Sequence, residues 1–165
     1  MAYRSLCVTD TNVWIDLDAA DLIDLIFELP LRLCAPDVIV AELERPKGED
    51  LVRGGLVVRD LPGAGVAAVV ELAARYPRPS RADLFALVLA QREDAALLTG
   101  DRHLREAAEK ESLEVHGTLW IVDCLVAASL LSTPDAARAL LRMKEAGRRL
   151  PAEEVERRIR AWTAG

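Results

Sequence analysis

The organisation of the chain follows from residues 6–16, whose sequence is LCVTDTNVWID. Leu6 to Val8 form a short apolar run typical of a buried strand, and the apolar residues after Asn12 predict the start of a helix. Asp10 is therefore predicted to lie at a strand-to-helix turn. Ligands bind at the carboxyl ends of strands in open parallel sheets, so Asp10 is a candidate functional residue. The alternative interpretation is that Asp10 only caps the helix.

The composition predicts a single domain in the cytoplasm. A chain of 165 residues can bury about 70% of the surface that its unfolded form exposes. Hydrophobic residues make up 52% of the chain, yet no uncharged apolar run approaches the roughly 20 residues of a membrane helix. We therefore expect no membrane association, and because the N-terminus lacks the length and cleavage site of a secretory signal, we expect a cytoplasmic protein. Cys7, Cys34 and Cys124 lie in apolar segments without CxxC spacing, which predicts buried reduced thiols.

The net charge of −6 argues against binding of phosphates by the surface as a whole. Positive charge nevertheless clusters beside acidic candidates: Arg78 and Arg81 precede Asp83, and Arg102 follows Asp101. We interpret these three arginines as a local rim that contacts substrate phosphates. The alternative is an ordinary solvated face.

Short apolar segments alternate with helical patterns along most of the chain. Strands are predicted at Leu6–Val8, Leu31–Ala35, Leu56–Leu61, Ala95–Thr99 and Leu113–His116. Helices are predicted from Asn12, at 21–26, at 36–43, from Gly65 to Arg75, from Ser80, after Asp101, and from Leu119 to Leu131. This alternation predicts an α/β fold, a three-layer α/β/α sandwich with a mainly parallel five-stranded sheet.

Two further helices are predicted beyond Ser132. One starts at Thr133 and ends at Gly147, and the other runs from Pro151 towards Trp162. We predict that residues 1–132 form the functional domain and that residues 133–165 are appended helices packed on the same domain.

Three further acids occupy positions comparable to that of Asp10. Glu42 lies one turn after Val38, on the helix face predicted to look inward, although an exposed surface role is the alternative. Asp83 stands at the third helical position after Ser80, where capping and metal ligation are equal alternatives. Asp101 closes the fourth strand as Asp10 closes the first.

These four acids are predicted to converge, because the ends of parallel strands meet at one edge of the sheet. Like charges about 4 Å apart repel by roughly 4 kcal/mol at an effective dielectric of about 20, so a cation is required or the acids must protonate. His103 and His116 are isolated and are set aside as ligands. An oxygen-only ligand set suits magnesium or manganese, which support phosphate chemistry.

Four motifs in order resemble a PIN domain and are similar to those of VapC-related nucleases. They are Asp10-Thr11-Asn12, Pro36-Asp37-Val38 running to Glu42, Ser80 to Asp83, and Leu98-Thr99-Gly100-Asp101. Each motif is weak alone, but their order is fairly specific, and the resemblance spans residues 7–131. The stretch from Gly117 and the appended helices further resemble an uncharacterised PIN subgroup.

The resemblance implies a PIN-like fold and a divalent-metal-dependent endoribonuclease that hydrolyses RNA phosphodiester bonds, as the toxin of a toxin–antitoxin pair. It implies that the four acids are catalytic and bind Mg²⁺ or Mn²⁺, that Asn12 orients Asp10, and that Thr99 supports the site. Its expected partners are RNA and a small antitoxin, and a homodimer is compatible with it. Many PIN proteins carry a further acid where this chain has Arg102 and His103, so a second ion is expected to bind weakly.

Two other functions compete with this interpretation. One is a catalytically weak PIN-fold module that binds RNA or protein, which a titration with manganese would distinguish from a nuclease. The other is a haloacid-type phosphatase. That chemistry needs a second Asp two residues after the nucleophile, and Asn12 occupies that position here.

Overall fold

A parallel five-stranded sheet lies at the centre of the computed structural model, which describes residues 4–164. Its strands are β1 (Leu6–Thr9), β2 (Arg32–Pro36), β3 (Val57–Arg59), β4 (Ala96–Leu98) and β5 (Val115–His116). They pair in the order β3-β2-β1-β4-β5, and every pair is parallel. The first strand is thus central, with Val8 in register with Cys34 on one side and Leu97 on the other.

Helices connect and cover the strands. They are α1 (Thr11–Ala19), α2 (Ile23–Ile26), α3 (Asp37–Glu42), α4 (Gly48–Gly54), α5 (Gly63–Arg75), α6 (Arg81–Arg92), α7 (Arg102–Lys110), α8 (Thr118–Ala127), α9 (Thr133–Glu145) and α10 (Ala152–Thr163). The alternating order of elements and the parallel sheet confirm the predicted α/β class.

The two faces of the sheet carry separate hydrophobic cores. Side chains alternate between the faces of a strand, so Cys7 joins one core and Val8 the other. The Cys7 face is covered by residues of α1, α8 and α9, including Trp14, Ile121 and Leu140. The opposite face is covered by α5, α6 and α7. These two cores produce the predicted α/β/α layers.

Several element boundaries differ from the prediction. The helix α4 was not predicted, because within it only Gly48 and Leu51 are buried and apolar periodicity is therefore weak. Its position depends on tertiary packing, since a Cβ on Gly48 would lie 2.2 Å from the carbonyl oxygen of Val40. The third strand is shorter than predicted, α5 begins at Gly63, and α8 ends at Ala127 rather than Leu131.

The C-terminal helices contribute directly to the core on the Cys7 face. Ala136, Leu140 and Met143 of α9 and Val155 of α10 are buried there. Gly147, with φ of 78°, follows α9 as predicted. A domain boundary at residue 132 stays a prediction.

The three cysteines are free thiols. Cys7 and Cys34 are buried as predicted, but Cys124 is only partly buried. Burial is the main factor that raises the pKa of Cys7 to about 12 and the pKa values of Cys34 and Cys124 to about 11. These thiols are therefore protonated at neutral pH.

Across residues 4–164, no helix combines the length and the apolar character needed to cross a membrane.

Candidate active site

Asp10 lies at the end of the central strand and is completely buried. Its Oδ1 accepts a hydrogen bond from the backbone N–H of Val13 (2.9 Å), so the residue does cap α1. Its Oδ2 accepts a hydrogen bond from the hydroxyl of Thr99. Burial nevertheless raises the pKa of Asp10 to about 7, because these hydrogen bonds offset only part of the desolvation. Capping alone does not provide a counter-charge for this carboxylate.

The pairing of β1 with β4 brings Thr99 and Asp101 close to Asp10. Thr9 is in register with Leu98, which brings the end of β4 beside the end of β1. The Thr99 hydroxyl donates to Asp10 and accepts from the backbone N–H of Asp101 (2.9 Å), and the Asp101 side chain caps α7 by accepting from Leu104 (2.8 Å). The structure therefore places Thr99 between the two acids.

Asp83 forms a complete capping box at the start of α6. Its Oδ2 accepts from the backbone N–H of Ser80 (2.9 Å), and its own N–H donates to the Ser80 hydroxyl (3.0 Å). The residue is 8% exposed. Burial raises the pKa of Asp83, and the nearby carboxylates of Asp101 and Glu42 raise it further. Asp83 is thus both a cap and a member of an acidic cluster.

Glu42 does not face inward as predicted. It is the last residue of the short helix α3 and is exposed to solvent. The helix has six residues, too few to hold a fixed inward face at its final position. The Thr11 hydroxyl donates a hydrogen bond to its Oε1, which directs the carboxylate towards α1. Because its charge acts on Asp83, Glu42 still belongs to the edge of the acidic cluster.

Asn12 does not orient Asp10 in the manner that the family resemblance implies. Its side-chain oxygen accepts a hydrogen bond from Nη2 of Arg148 (3.2 Å), and among residues 4–164 no hydrogen bond joins Asn12 to Asp10. The hydroxyl of Thr99 contacts Asp10 instead.

A third buried acid, Asp16, was not predicted from the sequence to be part of the site. It is 2% exposed, and its carboxylate accepts hydrogen bonds from Nε of Arg148 (2.6 Å) and from the hydroxyl of Thr118 (2.7 Å). A Cβ on Gly100 would lie 3.1 Å from Oδ2 of Asp16, so this acid lies directly behind the loop that precedes Asp101. Asp16 lies one turn after Asn12, and this spacing could have predicted that both side chains lie on the same face of α1. No local pattern could have predicted Arg148 as their partner.

The three arginines predicted to bind substrate are all exposed. Arg81 is the first residue of α6, two positions before Asp83. Arg102 is the first residue of α7 and pairs with Glu106, with 2.9 Å between Nε and Oε1. No salt bridge of Arg78 or Arg81 occurs within the described part of the chain. Their accessible charge is compatible with phosphate contacts.

The acidic cluster has donor atoms suited to a divalent cation, but its side chains are not arranged as a preformed coordination site. Its donors are carboxylate oxygens, which magnesium and manganese prefer. Within residues 4–164, however, no three His, Cys, Asp or Glu side chains are grouped closely enough to hold an ion. Asp83 and Asp101 each use an oxygen for capping, and Glu42 is bonded to Thr11. If Glu42 were one of the ligands, its exposed side chain would have to rotate away from Thr11.

Comparison with known families resolves the identity of the fold. Residues 6–164 match the family model DUF3368, which is described as a PIN domain. The chain belongs to the PIN-domain family. PIN domains are generally nucleases, and PIN nucleases generally use divalent metals. The matched region includes α9 and α10, so the family model covers the C-terminal helices too.

Two solved structures with TM-scores above 0.5 show that this PIN-domain protein shares its fold with distant relatives. PAE2754 from Pyrobaculum aerophilum has a TM-score of 0.56 and 15% identity, covering 76% of this chain and 98% of its own. A PilT N-terminus domain protein, SSO1118, from Sulfolobus solfataricus P2 has a TM-score of 0.52 and 11% identity, covering 74% and 92%. VapBC2 from Rickettsia felis, solved with a promoter DNA fragment, has a TM-score of 0.49 and 15% identity, covering 68% and 98%. No curated protein matches this PIN-domain sequence.

Proposed function

We propose that this PIN-domain protein is an endoribonuclease that depends on Mg²⁺ or Mn²⁺ and hydrolyses phosphodiester bonds of RNA. The single observation that supports this function best is the complete burial of the Asp10 carboxylate. Within residues 4–164 this fully buried carboxylate has no basic partner and lies beside other carboxylates, so its charge is costly unless a proton or a cation from outside the chain compensates it. PIN-family membership makes nucleic-acid hydrolysis the chemistry for which such a site is suited.

The proposed ligands of the ion are Asp10, Glu42, Asp83 and Asp101. When bound, a divalent ion in such a site lowers the pKa of a coordinated water and neutralises charge on the phosphoryl group. The chain's own contribution is positioning: the Thr99 hydroxyl fixes the Asp10 carboxylate, and the capping bonds fix Asp83 and Asp101. These hydrogen bonds hold the acids in place before substrate arrives.

Substrate binding is assigned to the exposed arginines at the edge of the site. Arg78 and Arg81 stand beside Asp83, and Arg102 follows Asp101. Guanidinium groups bind phosphate oxygens in a bidentate manner. We propose that they contact the RNA backbone locally, which is compatible with the net charge of −6.

The biological role that we propose is that of a cytoplasmic toxin, held inactive by a small antitoxin protein. This proposal rests on the resemblance of the four acid motifs to VapC-related nucleases. A homodimer is compatible with it.

A catalytically weak PIN module that binds RNA or protein is the second candidate function. The absence of a preformed three-ligand cage within residues 4–164 favours this alternative. The phosphatase interpretation has lost its support, because the chain belongs to the PIN family.

Cleavage of a labelled single-stranded RNA in Mg²⁺, Mn²⁺ or EDTA tests the proposal. We expect cleavage that requires metal and a loss of at least about 100-fold in Asp10→Asn, since that variant keeps the shape but removes a ligand charge; this corresponds to about 2.7 kcal/mol. Asp18→Asn, an exposed acid on the same helix, is the matched control and should cleave like wild type. Equal activity of Asp10→Asn and Asp18→Asn would reject the nuclease, and manganese binding without cleavage would favour the weak module.

A further inference from the structure

A groove of about 600 Å³ opens beside the acidic cluster, between the sheet edge and the C-terminal helices. We call it the C-terminal groove; the lining residues that matter here are Asp101, Arg105, His116, Trp120, Arg149 and Arg158. Thr99 and Gly100 also line it, so it is continuous with the proposed catalytic site. Its volume lies within the range of about 300–1,000 Å³ that is common for small-ligand sites.

An aromatic pair forms part of the groove wall. The rings of His116 and Trp120 are stacked, with centroids 4.0 Å apart and planes inclined by 13°. Nε2 of His116 lies 2.8 Å from Oε1 of Glu114, which fixes the imidazole ring. Both residues are partly exposed. A fixed aromatic pair at the edge of a cavity is suited to stacking with a planar ligand such as a nucleobase.

Four arginines line the same groove, and they differ in how far they are neutralised. Arg102 pairs with Glu106. Arg158 is bonded to both carboxylate oxygens of Asp123 and to Glu154. Nη2 of Arg105 lies over Gly117, since a Cβ there would be 2.8 Å from it, and Nη1 is 3.7 Å from Glu109.

Arg149 is the arginine of the groove whose charge is available. It is exposed, and within residues 4–164 it forms no salt bridge. The groove therefore combines a stacking surface with an accessible guanidinium, next to a set of acids proposed to act on phosphodiesters.

We propose that the C-terminal groove binds one unpaired nucleotide of the RNA next to the cleaved bond. Its base stacks on the His116–Trp120 pair, and its phosphate contacts Arg149 and Arg105. This inference rests on the proposed ribonuclease function. Base stacking on aromatic side chains requires an unstacked base, so the groove selects single-stranded RNA over a duplex.

Binding of a short fluorescent single-stranded RNA to full-length protein carrying Asp10→Asn tests the groove without cleavage. Trp120→Leu keeps an apolar side chain but removes the ring, so we expect affinity to fall by about tenfold, whereas Trp120→Phe should stay within about threefold. A duplex of the same sequence should bind more weakly and respond little to either substitution.

Arg149→Ala provides a second measurement that does not depend on the packing of Trp120. We expect weaker binding and a reduction of about 0.7 in the slope of log K against log salt, the value for one phosphate contact to a single strand. The matched control is Arg142→Ala, an exposed arginine of α9 outside the groove.

The groove proposal is overturned if Trp120→Leu binds like Trp120→Phe, or if Arg149→Ala binds like Arg142→Ala with the same salt slope. Circular dichroism shows whether Trp120→Leu is folded, and Arg149→Ala decides the question if it is not. Cleavage of the same RNA by wild type separates the two proposals. If wild type cleaves in metal and the groove variants bind like their controls, only the groove assignment fails; if wild type neither binds nor cleaves RNA, both fail.

Discussion

Asp10 and Asp16 are six residues apart in sequence, and both are buried, yet their carboxylates have different partners. Asp16 is bonded to the guanidinium of Arg148 and to the Thr118 hydroxyl. Asp10 accepts hydrogen bonds from Val13 and Thr99, both neutral, and its pKa is raised to about 7. The difference separates a carboxylate whose counter-ion is built into the fold from one that, within residues 4–164, has no cationic partner and needs a proton or an external ion to neutralise it.

This contrast also explains why burial alone does not identify a catalytic acid. Most buried charges are paired within the protein, since an unpaired charge costs several kcal/mol. The absence of a cationic partner is therefore the informative feature, and for Asp10, judged from the described residues, it occurs at the carboxyl edge of a parallel sheet.

The largest effect expected from this contrast is on the pH dependence of stability without metal. The pKa of Asp10 is about 7 in the folded protein and 3.8 in its ordinary state, so the unfolded chain ionises this group first as the pH rises. The stability present below about pH 4 should fall by about 4 kcal/mol by roughly pH 8, because each tenfold change in an acid dissociation constant corresponds to about 1.36 kcal/mol. Urea unfolding in EDTA measures the loss.

Asp10→Asn should remove this fall, whereas Asp18→Asn should retain it. Added manganese should restore stability at about pH 8 in wild type but not in Asp10→Asn. Parallel pH profiles for wild type and Asp10→Asn would contradict an uncompensated charge at Asp10.

The next effect concerns the internal counter-ion of Asp16. Arg148→Ala leaves a buried carboxylate unpaired, which typically costs about 3–5 kcal/mol. We expect the free energy of unfolding to fall by about 3 kcal/mol, because the Arg148 side chain is 25% exposed and water can partly replace it. Urea denaturation measures the change in the free energy of unfolding.

Arg142→Ala is the control and should change stability by less than about 0.5 kcal/mol, as expected for an exposed residue. Adding Asp16→Asn to Arg148→Ala should recover part of the loss, since no charge is then left unpaired. Additive losses in that double variant would show that Arg148 acts through packing rather than charge.

The smallest of the three effects is on metal affinity at Asp83, which caps α6 and is also a proposed metal ligand. Asn retains the acceptor of the cap, so Asp83→Asn should remain folded. Manganese affinity in a calorimetric titration should fall about tenfold, equivalent to about 1.4 kcal/mol.

The chain offers a matched control for this variant. Ser132 and Asp135 form the same Ser-x-x-Asp arrangement at the start of α9, where the Ser132 oxygen accepts from the Asp135 N–H (3.2 Å). Asp135→Asn should leave manganese affinity unchanged. If both variants bind manganese like wild type, Asp83 is a cap and no more.

The sheet and its carboxyl edge could be predicted from the sequence because both depend on local patterns. Apolar runs bounded by turn residues located all five strands, and the position of Asp10 and Asp101 immediately after strands placed them together. The capping box of Asp83 followed from Ser80 three residues before it.

The features that sequence did not predict depend on long-range contacts or on very short elements. Glu42 is exposed because α3 ends at that residue, and a helix of six residues is too short for apolar periodicity to predict which side chains face inward. Asn12 bonds to Arg148, 136 residues away, so no local pattern could indicate its partner. The ion pair between Asp16 and Arg148 could not be predicted for the same reason, since 132 residues separate them.

The bond between Asp16 and Arg148 spans 132 residues, and this span has a consequence for the order of synthesis. The ribosome adds Asp16 before most of the elements described here, but it adds Arg148 only after the strands, the acidic cluster and α9 have been made. Until then, packing of α1 against the sheet would bury an unpaired charge. Completion of the fold around the site therefore requires a segment that is translated after all five strands.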